Sequence, residues 1–393
     1  MSEPLAAAVL AGQSDAVAFL TELVRRPTEN PPGDVEDAIE WLAHYLAGRG
    51  HEVERHPVPD PFARHYRRAN VENIIVRRRF GPGPTVALHA PIDTLPAGSD
   101  WNRDPFGAEI RDGLLHGRGA RDSKADLAAY VTALEALAES GAGKGTVEIH
   151  ITADEESGGF LGPAFLLSQG LTAPDAVIAA GTAYQVITGQ QGVLHLEVLL
   201  RGRQAHASRP QDGQDAIAAA VPILAALIGH AATIEMPMTV TTIEGGRGVN
   251  IVADRVSLTV DRRIAIGEDG DAVEAELAAL VEAAHTAGGV EVECRRLLLA
   301  EPVMPTGPSE RLAEILSLQA ERVFDRPVPV VSAPVVSGAR HYALAGIATA
   351  LYGVGPPIVG EGVDFTGDES VSLDDLHKAT TAVALAAYDM LIR

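Results

Sequence analysis

The segment Ala87-Leu88-His89-Ala90-Pro91-Ile92-Asp93-Thr94-Leu95-Pro96 decides the fold. It continues an apolar run that begins at Thr85, so Thr85–Leu88 reads as a buried strand, and the prolines at 91 and 96 mark where the chain leaves it. Working outward, Val71–Val76 and Thr146–Thr152 read as further strands, with a helical pattern over Ala125–Ala138 between Thr85–Leu88 and Thr146–Thr152. Alternation of strand and helix predicts a three-layer α/β domain. Upstream, Ala16–Leu46 carries apolar residues at helical spacing, interrupted by the loop Pro27–Gly33, and predicts two helices with a turn between them.

Around Gly189 the pattern changes. Strand Val193–Arg201, helix Ala216–Ala231, strands Met238–Ile243 and Val256–Ile264, helix Ala272–Ala287 and strand Val290–Leu298 follow in turn. That β-helix-β-β-helix-β order predicts a ferredoxin-like α+β module inserted into the first domain. The expected division is 1–188 and 301–393 for the α/β domain and 189–300 for the insert.

A chain of 393 residues, 46% of them hydrophobic, can bury a large core. Its formal charge of -22 argues against nucleic acid or an anionic membrane surface as partner, since either needs a basic face. A lone cysteine, Cys294, cannot form an intrachain disulfide and reads as a structural strand residue. The apolar run Leu5–Leu10 is short and lacks a basic flank, and no later run approaches a membrane span, so a cytoplasmic location is the expectation.

Three further motifs stand in order along the chain: Gly117-Arg118-Gly119-Ala120-Arg121-Asp122-Ser123-Lys124, Asp154-Glu155-Glu156, and Asp364-Phe365-Thr366-Gly367-Asp368-Glu369. With the Ala87–Pro96 segment they resemble the co-catalytic zinc aminoacylases and carboxypeptidases, a family that includes carboxypeptidase G, acetylornithine deacetylase and succinyl-diaminopimelate desuccinylase. The resemblance implies that the insert is a lid and dimerisation domain. It also implies that Asp122 is the bridging ligand of two zinc ions, Glu155 the general base, Glu156 a ligand, and Asp93 the aspartate that orients a ligand histidine. That histidine falls on Pro91, a second ligand carboxylate on Gly181 and a second ligand histidine on Phe365. None of the three has a side chain that can ligate zinc.

Two carboxylates are left for two metals, so no cofactor is expected, with zinc possible only through displaced ligands such as His89 or His341. His89, Pro91 and Asp93 share a strand face, but each two-residue step is about 6.6 Å, and His89, His116 and His341 read as buried structural histidines.

The resemblance further assigns His206, in Ala205-His206-Ala207-Ser208-Arg209-Pro210, to a hydrogen bond on the reacting carbonyl across a dimer interface. It assigns Asn250, Arg263 and Arg340 to substrate, Arg340 through the substrate carboxylate. The family's aspartate two residues before that arginine is Gly338 here. The expected partners are a small amino-acid-derived molecule with a carboxylate and a second copy of the chain. Three functions remain open: an enzyme using zinc-independent carboxylate acid/base chemistry, of isomerase, lyase, cyclase or acyl-transfer type; an amidohydrolase or peptidase with a displaced or single metal; or a non-catalytic binding subunit. Crowding of Glu155, Asp93, Asp122 and Glu156 predicts raised carboxyl pKa values, with Glu155 as main base and Asp93 as its partner acid.

Overall fold

The computed structural model describes residues 2–66, 68, 70–141, 143–356 and 368–392. Phe365 and the rest of Asp364–Gly367 lie outside them. Chain contacts divide the molecule into two units, residues 1–189 with 305–393, and residues 190–304.

The chain opens with helices α1 (Ser2–Ala11), α2 (Gln13–Val24) and α3 (Glu36–Gly48), then β1 (Glu52–Pro57), α4 (Asp60–His65), β2 (Glu72–Arg79), β3 (Thr85–Pro91), β4 (Glu109–Arg111) and β5 (Leu114–His116). Next come α5 (Ala125–Glu139), β6 (Thr146–Thr152), α6 (Pro163–Ser168), β7 (Ala176–Ala179) and β8 (Val186–Gln190). The second unit holds β9 (Gly192–Arg201), α7 (Ala216–Ala231), β10 (Met238–Gly245), β11 (Arg255–Ile264), α8 (Gly270–Ala284) and β12 (Glu291–Ala300). The chain then returns through α9 (Gly307–Phe324), β13 (Val330–Ala333), α10 (Arg340–Leu344), β14 (Ala348–Leu351), β15 (Ser370–Ser372) and α11 (Leu373–Ile392).

Eight strands form the large sheet in the order β1-β2-β6-β3-β7-β14-β8-β13. Its central strands β6, β3, β7 and β14 run parallel. β3, β7 and β14 read as apolar runs and β6 as an alternating one, and helices cover both faces. Val86, Leu88 and Ala90 of β3 and Val147, Ile149 and Ile151 of β6 pack with α1, α2, α3, α5, α9 and α11. The opposite face is covered differently: Ala87 of β3 packs with Ala339 and Tyr342 at α10, and Ile75 of β2 with Ala63 of α4 and Phe165 of α6. This is a three-layer α/β unit.

The two helices expected over Ala16–Leu46 are α2 and α3; ahead of them Leu5–Leu10 lies in a further helix, α1, and buries Leu5 and Val9. The central strand runs on from Leu88 through Pro91, which pairs with Thr152, and Asp93 lies beyond it. Among the described residues no single helix is long and apolar enough to cross a membrane; the bent pair α1–α2 is apolar enough, but its Leu5, Val9, Phe19 and Leu20 belong to the core.

The second unit is an antiparallel sheet in the order β10-β11-β9-β12. With the chain order β-α-β-β-α-β this is the ferredoxin-like arrangement. Leu194, Leu196, Val198 and Leu200, alternate residues of β9, bury against α7 and α8. Asp215 caps α7 by accepting from the Ile217 and Ala218 amides, and Asp269 caps α8 through Ala272. Cys294 lies within β12, partly buried.

Candidate active site

The chemistry-bearing residues of the first unit gather where β3, β6 and β7 end, the carboxyl edge at which open parallel sheets bind ligands. Asp93 follows β3, and its Oδ1 accepts from the Glu155 amide at 3.1 Å. Its Oδ2 accepts from the Glu156 amide at 3.2 Å and from Asn30 Nδ2 at 2.8 Å. Three donors on one buried carboxylate make Asp93 a clamp on the turn after β6. Asn30, in the proline-flanked loop before α3, also donates to Ser157 Oγ and so ties a second point of that turn.

A second clamp holds Asp122. Glu369, just before β15, accepts from the amides of Arg121 (2.7 Å) and Asp122 (3.1 Å) through Oε1. Through Oε2 it accepts from the Gly119 amide (2.9 Å) and Arg118 Nη1 (3.0 Å). The loop Gly117–Asp122 is therefore folded around one buried carboxylate. Asn30 and Glu369 act on the site without any signal in local periodicity: Asn30 lies in the Pro27–Gly33 loop, and Glu369 closes the Asp364–Glu369 motif.

Between the clamps lies a small cleft of about 40 Å³ lined by His89, Pro91, Asp122, Ser123, Glu155, Ala179, Ala180 and Ser337–Ala339. Of the expected acidic cluster, Asp122 and Glu155 line it. Glu156 takes the Leu95 amide, and Asp93 stands behind. Burial first, then the carboxylates of Glu156, Asp122 and Asp93, push the Glu155 carboxyl well above the usual range, with Arg340 opposing. Burial, followed by Asp122 and Asp93, likewise raises Glu156. Burial and Glu369 push Asp122 up to about 6, and burial and Asp93 push Asp154 up to about 7.

Arg340 opens α10 and is buried, its guanidinium 5.3 Å from the centre of the Phe160 ring. Burial pushes it down to about 10. Among the described residues its Nη2 has no hydrogen-bond partner, although Nη1 reaches the Ser337 carbonyl at 3.4 Å. The change to Gly338 has a packing counterpart: a Cβ on Gly159 would meet the Gly338 Cα at 2.8 Å, so two glycines bring the turn after β6 close to α10.

Two of the positions that the resemblance assigns to metal ligands, Pro91 and Gly181, lie among the described residues. Pro91 offers no donor atom, and its carbonyl accepts from Ser123 Oγ at 3.0 Å. At Gly181 a Cβ would lie 2.9 Å from the Tyr352 nitrogen and 3.0 Å from the Leu351 carbonyl carbon, so backbone occupies the space a ligand side chain would need. His89 Nε2 is engaged by Thr152 Oγ1 at 3.0 Å, and His341 Nε2 donates to the Gly158 carbonyl at 2.9 Å. Among the described residues no three His, Cys, Asp or Glu side chains come together as a metal-holding group.

In the second unit, His206 is exposed and its Nδ1 accepts from the Ser208 amide, which leaves Nε2–H as its free donor. The Ala207 amide donates to the Asn250 carbonyl at 2.9 Å, so His206 and Asn250 share one end of the module. Arg263 does not join them. It sits at the far end of β11, paired with Asp261, about 27 Å along the strand at ~3.4 Å per residue.

Residues 87–389 match the profile of peptidase family M20/M25/M40. The chain belongs to that family. It is 27% identical over 269 residues to the succinyl-diaminopimelate desuccinylase of Maricaulis maris, covering 64% of this chain and 66% of that one. With the desuccinylase of Wolinella succinogenes it shares 30% identity over 169 residues, 41% of this chain and 46% of that one. The matched stretches thus span less than two thirds of these relatives. A Bacillus subtilis dinuclear metal binding peptidase of the M20 family shares the fold at a TM-score of 0.69, with 18% identity over 97% of this chain and 99% of that one.

Proposed function

We propose that the protein is an enzyme acting on a small amino-acid-derived molecule that carries a carboxylate and an amide carbonyl, through carboxylate acid/base chemistry at Glu155 and without a dinuclear zinc centre. The observation that carries this reading is the pair of clamps. Asp93 and Glu369 fix Glu155 and Asp122 by backbone hydrogen bonds at one cleft, in a chain whose Gly181 has no room for the missing ligand. A carboxyl group raised by burial and by like charges holds its proton near neutral pH, where a positioned acid or base contributes about 10²–10⁴-fold. Arg340, buried and with Nη2 unpartnered among the described residues, suits a substrate carboxylate.

The test is turnover of a panel of N-succinyl and N-acetyl amino acids and dipeptides, with and without chelator. Activity should survive the chelator and be lost in Glu155→Gln, whose fold is checked by its melting temperature. Activity that appears only on adding zinc supports instead an amide hydrolase with a displaced or single metal, the reading favoured by the desuccinylase and peptidase names of the relatives.

A homodimer through the inserted module is part of the proposal. β10 is an edge strand, and beside it α7 exposes Val221 and Ile228, with Ile243 exposed on β10 itself. A small substrate cannot reach both His206 and Arg263 on one module, so a second copy is what would supply one of them. Mixed His206→Ala and Glu155→Gln chains should recover part of the activity that each alone lacks. A monomer in solution would remove this part of the proposal.

A further inference from the structure

Beneath the cleft, on the face of the sheet covered by α10, lies a layer of polar groups that the acid/base reading does not use. His89 stands on β3 opposite His150 on β6, and Glu148 and Thr152 flank His150 on the same face. Glu148 accepts from Arg77 Nε at 2.7 Å, from Thr172 Oγ1 at 2.5 Å and from His150 Nε2 at 2.8 Å. Although burial opposes ionisation, its hydrogen bonds and charge interactions hold its carboxyl down at about 2. His150 Nδ1 in turn meets the Tyr342 hydroxyl at 2.8 Å. Tyr342 is thereby fixed, and its ring meets the His89 ring edge to face, with centroids 5.4 Å apart.

His89 is held from two sides, by this ring and by Thr152 Oγ1 on Nε2. Its Nδ1 is buried and has no hydrogen-bond partner among the described residues, on a ring that lines the same cleft as Asp122 and Glu155. Burial and the neighbouring His150 and His341 rings keep the imidazole neutral, so one nitrogen carries the hydrogen. The Thr152 hydroxyl has no other partner among the described residues and can donate to Nε2, leaving the hydrogen on Nδ1.

We propose that His89 donates an Nδ1–H hydrogen bond to the amide carbonyl oxygen of the bound substrate, as the polarising group of a cleft that lacks the family's ligand set. The inference rests on the amide-carbonyl reading above. A neutral imidazole is a competent electrophile for a carbonyl when its orientation is fixed by folding, because it needs no reorganisation as charge develops. A carboxylate ligand fits the position less well, since Asp122 and Glu155 share the lining.

The test is the tautomer of His89 in protein labelled with ¹⁵N-histidine, its signals assigned by their absence in His89→Gln. The proposal expects a protonated Nδ1 and an unprotonated Nε2 in the free wild-type protein at pH 7, and an Nδ1–H signal that moves on adding N-acetylglycine, the smallest probe with both an amide and a carboxylate. In calorimetry His89→Phe should bind that probe about ten-fold more weakly, the loss of one hydrogen bond, while His89→Gln, which keeps a donor, recovers part of the affinity. An Nε2–H tautomer, a charged ring, or an Nδ1–H signal unmoved by the probe up to its solubility limit overturns the proposal. The tautomer is read without turnover, so an unchanged rate in Glu155→Gln would defeat the acid/base reading and leave this assignment standing.

Discussion

The two units carry their site residues in opposite ways. In the α/β unit Asp93 and Glu369 are 2% and 6% exposed and are saturated by backbone amides and side-chain donors. In the inserted module His206 and Asn250 are exposed at a loop end. Folding fixes the first set through buried hydrogen bonds, at the expense of gathering buried carboxyls, whereas the second set is held by loop contacts and left exposed. Substitutions should therefore move stability in the first unit and assembly or rate in the second.

Glu369→Ala gives the largest effect. It strands the Gly119, Arg121 and Asp122 amides and leaves Arg118 without its buried partner, so unfolding by denaturant should show a loss of about 3–5 kcal/mol. Asp93→Asn keeps one acceptor oxygen for the three donors and should cost about 1–3 kcal/mol in the same assay. A cost below a few tenths for either would mean the clamps do not hold the site.

The pH dependence is smaller and has a definite sign. Asp122 and Asp154 have folded-state values raised from 3.8 to about 6 and about 7. Their contribution to stability is present below the unfolded value and is lost as pH rises through the folded ones. Asp122→Asn and Asp154→Asn should thus gain in melting temperature relative to wild type between pH 4 and pH 7. Glu148, lowered from 4.5 to about 2, works the other way: its contribution is present above 4.5 and disappears as pH falls toward 2. If the Asn variants track wild type across the upper window, those carboxyls are not held in their raised state. At the small end, His206→Ala should change stability by less than about 0.5 kcal/mol.

What the sequence discloses follows the same division. Apolar runs such as Val86–Leu88 and Ala176–Ala179, and the alternation in β9, carry the sheets, because burial on both faces or on one leaves a periodic trace. The helix Ala216–Ala231 appears where its pattern places it. The site is less legible. Thr146-Val147-Glu148-Ile149-His150-Ile151-Thr152 has the alternation of a strand with one solvated face, yet that face is buried, and the partner of His150 Nδ1 is Tyr342, 192 residues away. Likewise the clamp role of Asp93 depends on amides 62 and 63 residues distant. Long-range polar pairing leaves no local period, so motif order located these residues while only the fold assigned what they touch.

The central claim is that the site is held by hydrogen bonds in place of a dinuclear metal centre, and elemental analysis of protein expressed in zinc-supplemented medium and purified without chelator tests it most directly. The account predicts well under one zinc per chain and a melting temperature indifferent to chelator. Two zinc ions per chain, lost on chelation together with stability, would contradict it.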